Sequence, residues 1–268
     1  MKPTVISKEY LALQTEIANK QKSWFDALNK EEVVKKSEIS HKHAPIISQV
    51  SLHVNKEEYK RFIEELASFL GENNEQIASE IEKLQKLLTE EVLSRWVEEV
   101  LSYNQIYFHS FAEENKLAEW LPYFVAENAI RPYLRVVSEL YKDELADQET
   151  KGSCPCCGEP VRLALLEGKG KKMLICPRCE AKWQQTRLSC VCCGNSDHKK
   201  LSYYNVEGDK SAKIEVCDVC NGYIKMIDAR KLFKKQAAFL MDLNTLYLDF
   251  VAEEKGYGAT NDENKVKS

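Results

Sequence analysis

The chain has 268 residues, 44% of them hydrophobic and 30% charged, which is enough for one large domain or two ordinary ones with real cores and excludes disorder throughout. The formal net charge of -4 and a pI near 5.9 argue against broad electrostatic binding of nucleic acid, a mode that relies on clustered Lys and Arg. The longest uninterrupted apolar run, 237–241, has five residues against the roughly 18 a membrane span requires, and residues 1–10 hold no apolar signal segment. The expectation is a cytoplasmic chain without membrane insertion.

Residues 1–150 contain a single glycine, Gly71. Apolar residues there recur at helical spacing, as in Ile77, Ile81, Leu84, Leu88 and Val92, which predicts an all-helical domain of five or six helices. Breaks are expected in the loop from Ser37 to Pro45 and at Gly71-Glu72-Asn73-Asn74, read as a C-cap and a turn. Pro122 and Pro132 read as first-turn or kink prolines, and the charge-rich run from Glu90 to Glu99 reads as a solvated helix face. Of the five histidines, His41, His43, His53, His109 and His198, none is spaced with a second ligand. His109 reads as a helix residue rather than a base, and His41 and His43 as surface residues.

Residues 151–230 show short β-type runs at 161–166, 172–175, 201–206 and 212–216, bounded by Gly168, Gly170 and Glu207-Gly208-Asp209 as turn signals. From Phe233, the residues Ala237, Leu240, Leu243, Tyr247 and Phe250 lie on a single helical stripe, predicting one helix that ends near Gly256 and a frayed polar tail over 259–268.

All ten cysteines fall between Cys154 and Cys220. Eight form four C-x-x-C pairs: Cys154 with Cys157, Cys176 with Cys179, Cys190 with Cys193, and Cys217 with Cys220. Two thiolates at this spacing face one ion when the backbone folds into a tight knuckle, and Gly158 and Gly194 supply the positive φ that such a turn favours. The first two pairs are separated by 18 residues and the last two by 23, but only 10 lie between Cys179 and Cys190. The natural grouping is therefore first with second and third with fourth. Cys154-Pro-Cys-Cys-Gly and Cys190-Val-Cys-Cys-Gly share the same extra cysteine, so the region reads as an internal duplication.

The expected fold class is α+β. A helical domain over 1–150 precedes two rubredoxin-like or zinc-ribbon modules, 151–188 and 189–230, each with one four-cysteine site, and a C-terminal helix and tail occupy 231–268. Two metal ions per chain are implied, iron or zinc, since both accept four thiolates in tetrahedral geometry. A four-thiolate site keeps no open position for hydrolytic chemistry. Residues 151–230 carry 14 Lys and Arg against 9 Asp and Glu, and eight thiolates with two divalent ions bring this close to neutral, which leaves no evident phosphate-binding surface.

Cys156 and Cys192 remain, read either as small knuckle residues or as thiols with a redox or ligand-exchange role. Trp183 and Arg187, four apart, fit one helical turn or an extended linker, with Trp183 in the core and Arg187 placed to reach a partner carboxylate. No G-x-S-x-G, Walker loop or G-x-G-x-x-G occurs, so no enzyme activity is expected.

The order Cys154-Pro155, Pro160, Leu174, Cys176 with Cys179, Trp183, Arg187, Cys190 with Cys193, Tyr203-Tyr204, Cys217 with Cys220, Tyr223, Lys225, Asp242-Leu243, Leu248-Asp249 and Gly256-Tyr257 resembles the formate dehydrogenase accessory protein family, FdhE. The front resembles that family only in being helical with a His-x-Pro-like segment at His43 to Pro45. The resemblance implies a cytoplasmic maturation factor, without turnover of its own, that binds the catalytic subunit of formate dehydrogenase and carries iron or zinc at its cysteine sites. Arg187, Tyr223 and Lys225 are the expected partner-facing residues. The competing reading is a rubredoxin-like one-electron carrier; a zinc-ribbon nucleic-acid binder is disfavoured by charge.

Overall fold

The computed structural model describes residues 5–148, 150–186, 188–232 and 236–258. Arg187, Phe233 at the head of the expected closing helix, and the tail 259–268 lie outside the described residues. Among the described residues the front contains seven α-helices: α1 (Lys8–Ala27), α2 (Lys30–Val33), α3 (Lys56–Asn73), α4 (Ala78–Leu87), α5 (Glu90–Leu101), α6 (Gln105–Asn115) and α7 (Leu121–Leu140). That is more than the five or six expected, because polar caps rather than Gly or Pro separate several of them. Asn55, Thr89 and Asn104 accept hydrogen bonds from the backbone N–H groups of Glu58, Val92 and Tyr107, satisfying donors that a helix start leaves free.

Gly71 does not cap α3 but lies inside it, two residues before its end at Asn73. A Cβ there would stand 2.9 Å from Ile81 Cδ1, so the missing side chain permits close packing of α3 against α4. Pro122 sits in the first turn of α7, where its absent N–H costs nothing, and Pro132 lies within the helix. The run from Glu90 to Glu99 is not uniformly solvated: Trp96 and Glu99 are buried, and Glu99 is ion-paired with Arg95 and accepts from Asn104 Nδ2 at 2.6 Å. His109 is exposed, 3.3 Å from Glu119.

The chain divides into two compact units. One comprises residues 19–35 and 51–136. In it Trp24 stacks on Phe62 at 4.7 Å between ring centroids, Trp24 Nε1 donates to Glu65 at 2.6 Å, and the buried Tyr59 hydroxyl donates to the Ala126 carbonyl at 3.0 Å. The other comprises residues 1–18, 36–50 and 137–268 and holds all ten cysteines.

That second unit is built on one six-stranded sheet from β1 (Leu163–Glu167), β2 (Lys171–Ile175), β3 (Lys182–Gln185), β4 (Leu201–Val206), β5 (Asp209–Cys217) and β6 (Tyr223–Asp228). The spatial order is β3-β2-β1-β6-β5-β4. Each half runs knuckle, hairpin, knuckle, strand, as a duplication predicts, and pairs antiparallel within itself. The halves join where β1 pairs parallel with β6, from Leu163 opposite Lys225 to Leu166 opposite Asp228. Strand β3 resolves the position of Trp183: it is extended, opposite Leu174, and buried.

The expected single closing helix is instead two, α8 (Ala238–Leu243) and α9 (Tyr247–Glu254). Between them Thr245 Oγ1 donates back to the Met241 carbonyl at 2.8 Å, a local bond that competes with helix continuation. The break lets Ala238, Met241, Tyr247, Leu248 and Ala252 pack on Leu163, Leu165, Ile214, Val216 and Ile227 of the sheet. Tyr247 also donates its hydroxyl to Asp209 Oδ2 at 2.5 Å. Tyr247→Phe removes that buried bond and is expected to cost about 1–3 kcal/mol, read as a lower urea midpoint with an unchanged m-value.

Candidate metal centres

Each knuckle is built from the same backbone bonds. The N–H of the leading cysteine donates to the carbonyl five residues on: Cys154 to Glu159 (2.7 Å), Cys176 to Ala181 (2.9 Å), Cys190 to Asn195 (2.8 Å) and Cys217 to Gly222 (2.9 Å). The residue after the second cysteine is always left-handed, with φ of +82° at Gly158, +58° at Glu180, +78° at Gly194 and +54° at Asn221. Glycine marks two of these turns in the sequence; Glu180 and Asn221 make the other two, and the four-fold repeat of the C-x-x-C spacing is the signal that finds them.

The knuckles bring the eight sulfurs together as the spacing predicts. Cys154, Cys157, Cys176 and Cys179 form one group and Cys190, Cys193, Cys217 and Cys220 the other, the sulfurs of each lying within 4.8 Å of one another. The pairs Cys154–Cys179 and Cys157–Cys176 are both 3.6 Å apart, Cys190–Cys220 3.7 Å and Cys193–Cys217 3.8 Å. A tetrahedron of metal–sulfur bonds of ~2.3 Å has sulfur–sulfur edges of about 3.8 Å. The thiols are unlinked, and both groups can hold one metal ion.

Electrostatics in the first group favour an ion. Burial pushes the Cys154, Cys176 and Cys179 thiols well up. At Cys157 burial acts the same way, but the three neighbouring sulfurs and the Arg178 guanidinium outweigh it and hold the thiol well down. Taking up an ion displaces the protons of the raised thiols, so affinity is expected to fall as pH falls. Arg178 is itself buried, its backbone N–H donating to Cys176 Sγ at 3.4 Å, where its charge offsets that of the thiolates. In the second group the adjacent Cys192 thiol, working against burial, holds Cys190 down at about 4.

The remaining sequence candidates are placed as follows. Cys156 is fully buried and Cys192 half-buried, so the two matching thiols do not share an environment. Tyr223 is half-buried and its hydroxyl donates to Asp249 Oδ1 at 2.8 Å. Lys225 is 1% exposed, and its ammonium lies 2.7 Å from both Asp242 Oδ1 and Asp249 Oδ2. Arg162 extends the network, 2.7 Å from Asp242 and from Glu159. Tyr223 and Lys225 thus fasten α8 and α9 to the sheet, a role that motif order alone does not reveal. No described helix is long and apolar enough to cross a membrane.

Residues 188–264 match the C-terminal domain of FdhE. Among curated relatives, an FdhE homolog of Stutzerimonas stutzeri is 33% identical over 124 residues, 44% of this chain and 40% of its own, and one of Aquifex aeolicus is 26% identical over 186 residues, 68% and 60%. The matched stretches thus span about half the length of these relatives. The crystal structure of the FdhE protein from Pseudomonas aeruginosa shares the fold with a TM-score of 0.64, covering 93% of this chain and 86% of that one at 19% identity. Residues 188–264 are therefore similar to the FdhE C-terminal domain, and the chain as a whole shares the fold of an FdhE protein.

Proposed function

We propose that the chain is a cytoplasmic accessory factor for formate dehydrogenase, binding the catalytic subunit during assembly and carrying one iron or zinc ion in each four-cysteine group. The observation that carries the reading is the pair of four-sulfur clusters, the second of them inside the stretch that matches the FdhE C-terminal domain. Four protein thiolates close the coordination sphere, so an ion there organises backbone instead of activating water. The two clusters pin both ends of each hairpin, and a sheet so held supplies a rigid surface for a client.

Metal analysis of anaerobically purified protein is expected to give two ions of zinc plus iron per chain; one ion, or a four-iron cluster signature, refutes two separate sites. In the native cell, deletion of the gene is expected to lower formate dehydrogenase activity while its catalytic subunit is still made, and the purified protein is expected not to oxidise formate. Full activity in a deletion strain with no second copy refutes the accessory role. Arg187→Ala tests partner contact directly, by co-purification of the tagged variant with the catalytic subunit. Tyr223 and Lys225 influence a partner through the fold, since both side chains are engaged internally.

The half-exposure of Cys193 and Cys220 favours a second reading, a one-electron carrier with iron at that site. A colourless zinc form that restores formate dehydrogenase activity removes it.

A further inference from the structure

The two clusters have the same sulfur geometry and unlike surroundings. The first is sealed by its own unit. Residues 45–47 lie against its leading knuckle, where Ile46 and Ile47 donate their backbone N–H groups to the Pro155 and Cys156 carbonyls, both at 2.9 Å. Pro45 Cγ stands 3.3 Å from where a Cβ on Gly158 would be. At the other knuckle Ser138 Oγ donates to the Cys179 carbonyl at 2.8 Å. All four ligand cysteines of this cluster are buried, none more than 2% exposed.

The second cluster is held by longer backbone bonds of this kind, Gly152 N–H donating to the Val191 carbonyl and Gly258 N–H to the Asn221 carbonyl, both at 3.1 Å, and its cysteines are less deeply buried. Cys190 and Cys217 are buried, but Cys193 and Cys220, from different knuckles, are half-exposed, and Val219 between the last two cysteines is 58% exposed. Behind it lies a cavity of about 10 Å³ lined by Cys190, Cys192, Cys217, Glu215 and Tyr223, room for about one water, with the buried Glu215 Oε2 lacking a hydrogen-bond partner. Exposed lysines flank the open side. Lys199 and Lys200 follow the third knuckle, the Lys200 carbonyl accepts from Asp218 N at 3.0 Å, and Lys151 Cε lies 3.9 Å from the Cβ position of Gly194. The nearby carboxylates are engaged: Asp197 accepts from Lys199 N at 3.0 Å and Asp218 from the Tyr257 hydroxyl at 2.7 Å.

From this asymmetry we propose that the second cluster is an exchange centre, where an anionic thiol enters from solvent, ligates the ion and lets it be given up and renewed, whereas the first keeps its ion as a permanent clip. The proposal rests on the reading of both clusters as metal centres. A closed four-thiolate ion is replaced only if an incoming ligand reaches it as one of the four departs. The incoming sulfur forms a bond to the ion, one cysteine–metal bond breaks at Cys193 or Cys220, and the proton of the entering thiol passes to the departing sulfur. No electron changes hands. At the first cluster the same approach requires residues 45–47 to open first, a local unfolding step that slows exchange.

The test uses the full chain reconstituted with zinc, transferred into a coloured chelator at graded glutathione concentrations, with iodoacetamide labelling mapped by peptide mass. The expected result is two phases of one ion each. The fast phase should rise with glutathione and expose Cys190, Cys193, Cys217 and Cys220 to alkylation. The slow phase should be at least about tenfold slower and indifferent to glutathione. A common rate for both ions, a fast phase unaffected by glutathione, or first labelling at Cys154, Cys157, Cys176 and Cys179 overturns the proposal while leaving the metal reading intact. Failure to retain any zinc after reconstitution overturns both.

Discussion

Cys157→Ser is expected to lose one ion per chain and to lower the thermal midpoint by roughly 10 °C, whereas Cys156→Ser keeps both ions. A structural four-thiolate zinc supplies on the order of 10 kcal/mol of apparent folding free energy, and removing one sulfur of four leaves three buried thiols around a poorly held ion. A loss of about 3–5 kcal/mol corresponds to that midpoint shift in a protein of this size. Cys193→Ser is expected to lose one ion at a smaller cost, since Cys193 is half-exposed whereas Cys157 is 2% exposed. Metal content measured beside thermal unfolding separates these cases. Metal release by Cys156→Ser as complete as by Cys157→Ser would show the ligand assignment to be wrong.

Lys225→Met is expected to destabilise the sheet unit by about 3–5 kcal/mol, the range for removing one partner of a buried ion pair. The cost comes from what stays behind. Asp249 loses its 2.7 Å ammonium contact and Asp242 keeps only Arg162. Burial alone would raise the Asp242 carboxyl, but Lys225 and Arg162 override it and hold the group below the usual carboxylate range. A lowered carboxylate contributes stability that is present above the ordinary pKa, near 4, and lost as pH falls through the lowered one. Without Lys225 the carboxylate stays charged at neutral pH with less compensation, and protonation relieves it. The gap between wild type and variant should therefore be widest at pH 7 and narrow toward pH 4. A constant gap across that interval would place the loss in packing of the lysine stem instead of its charge.

The cysteine spacing by itself determined the grouping of ligands and the duplicated module, because four thiolates at one ion require two knuckles and each knuckle is local: a leading cysteine, two spacers, a second cysteine and a left-handed turn. Periodicity likewise showed the helical front and four of the six strands. What the tertiary structure alone decided involves contacts distant in sequence. Parallel pairing of β1 with β6 joins the halves into one sheet, and no local pattern encodes which strands become neighbours. Lys225 reads from motif order as partner-facing, yet it is buried and paired with carboxylates from two later helices. Cys156 and Cys192 occupy equivalent places in equivalent motifs, but residues 45–47, more than a hundred positions earlier, pack on one knuckle and bury Cys156, while Cys192 stays half-buried. Sequence sets the chemistry of each cluster, whereas its exposure depends on which distant segment finds a surface to pack against.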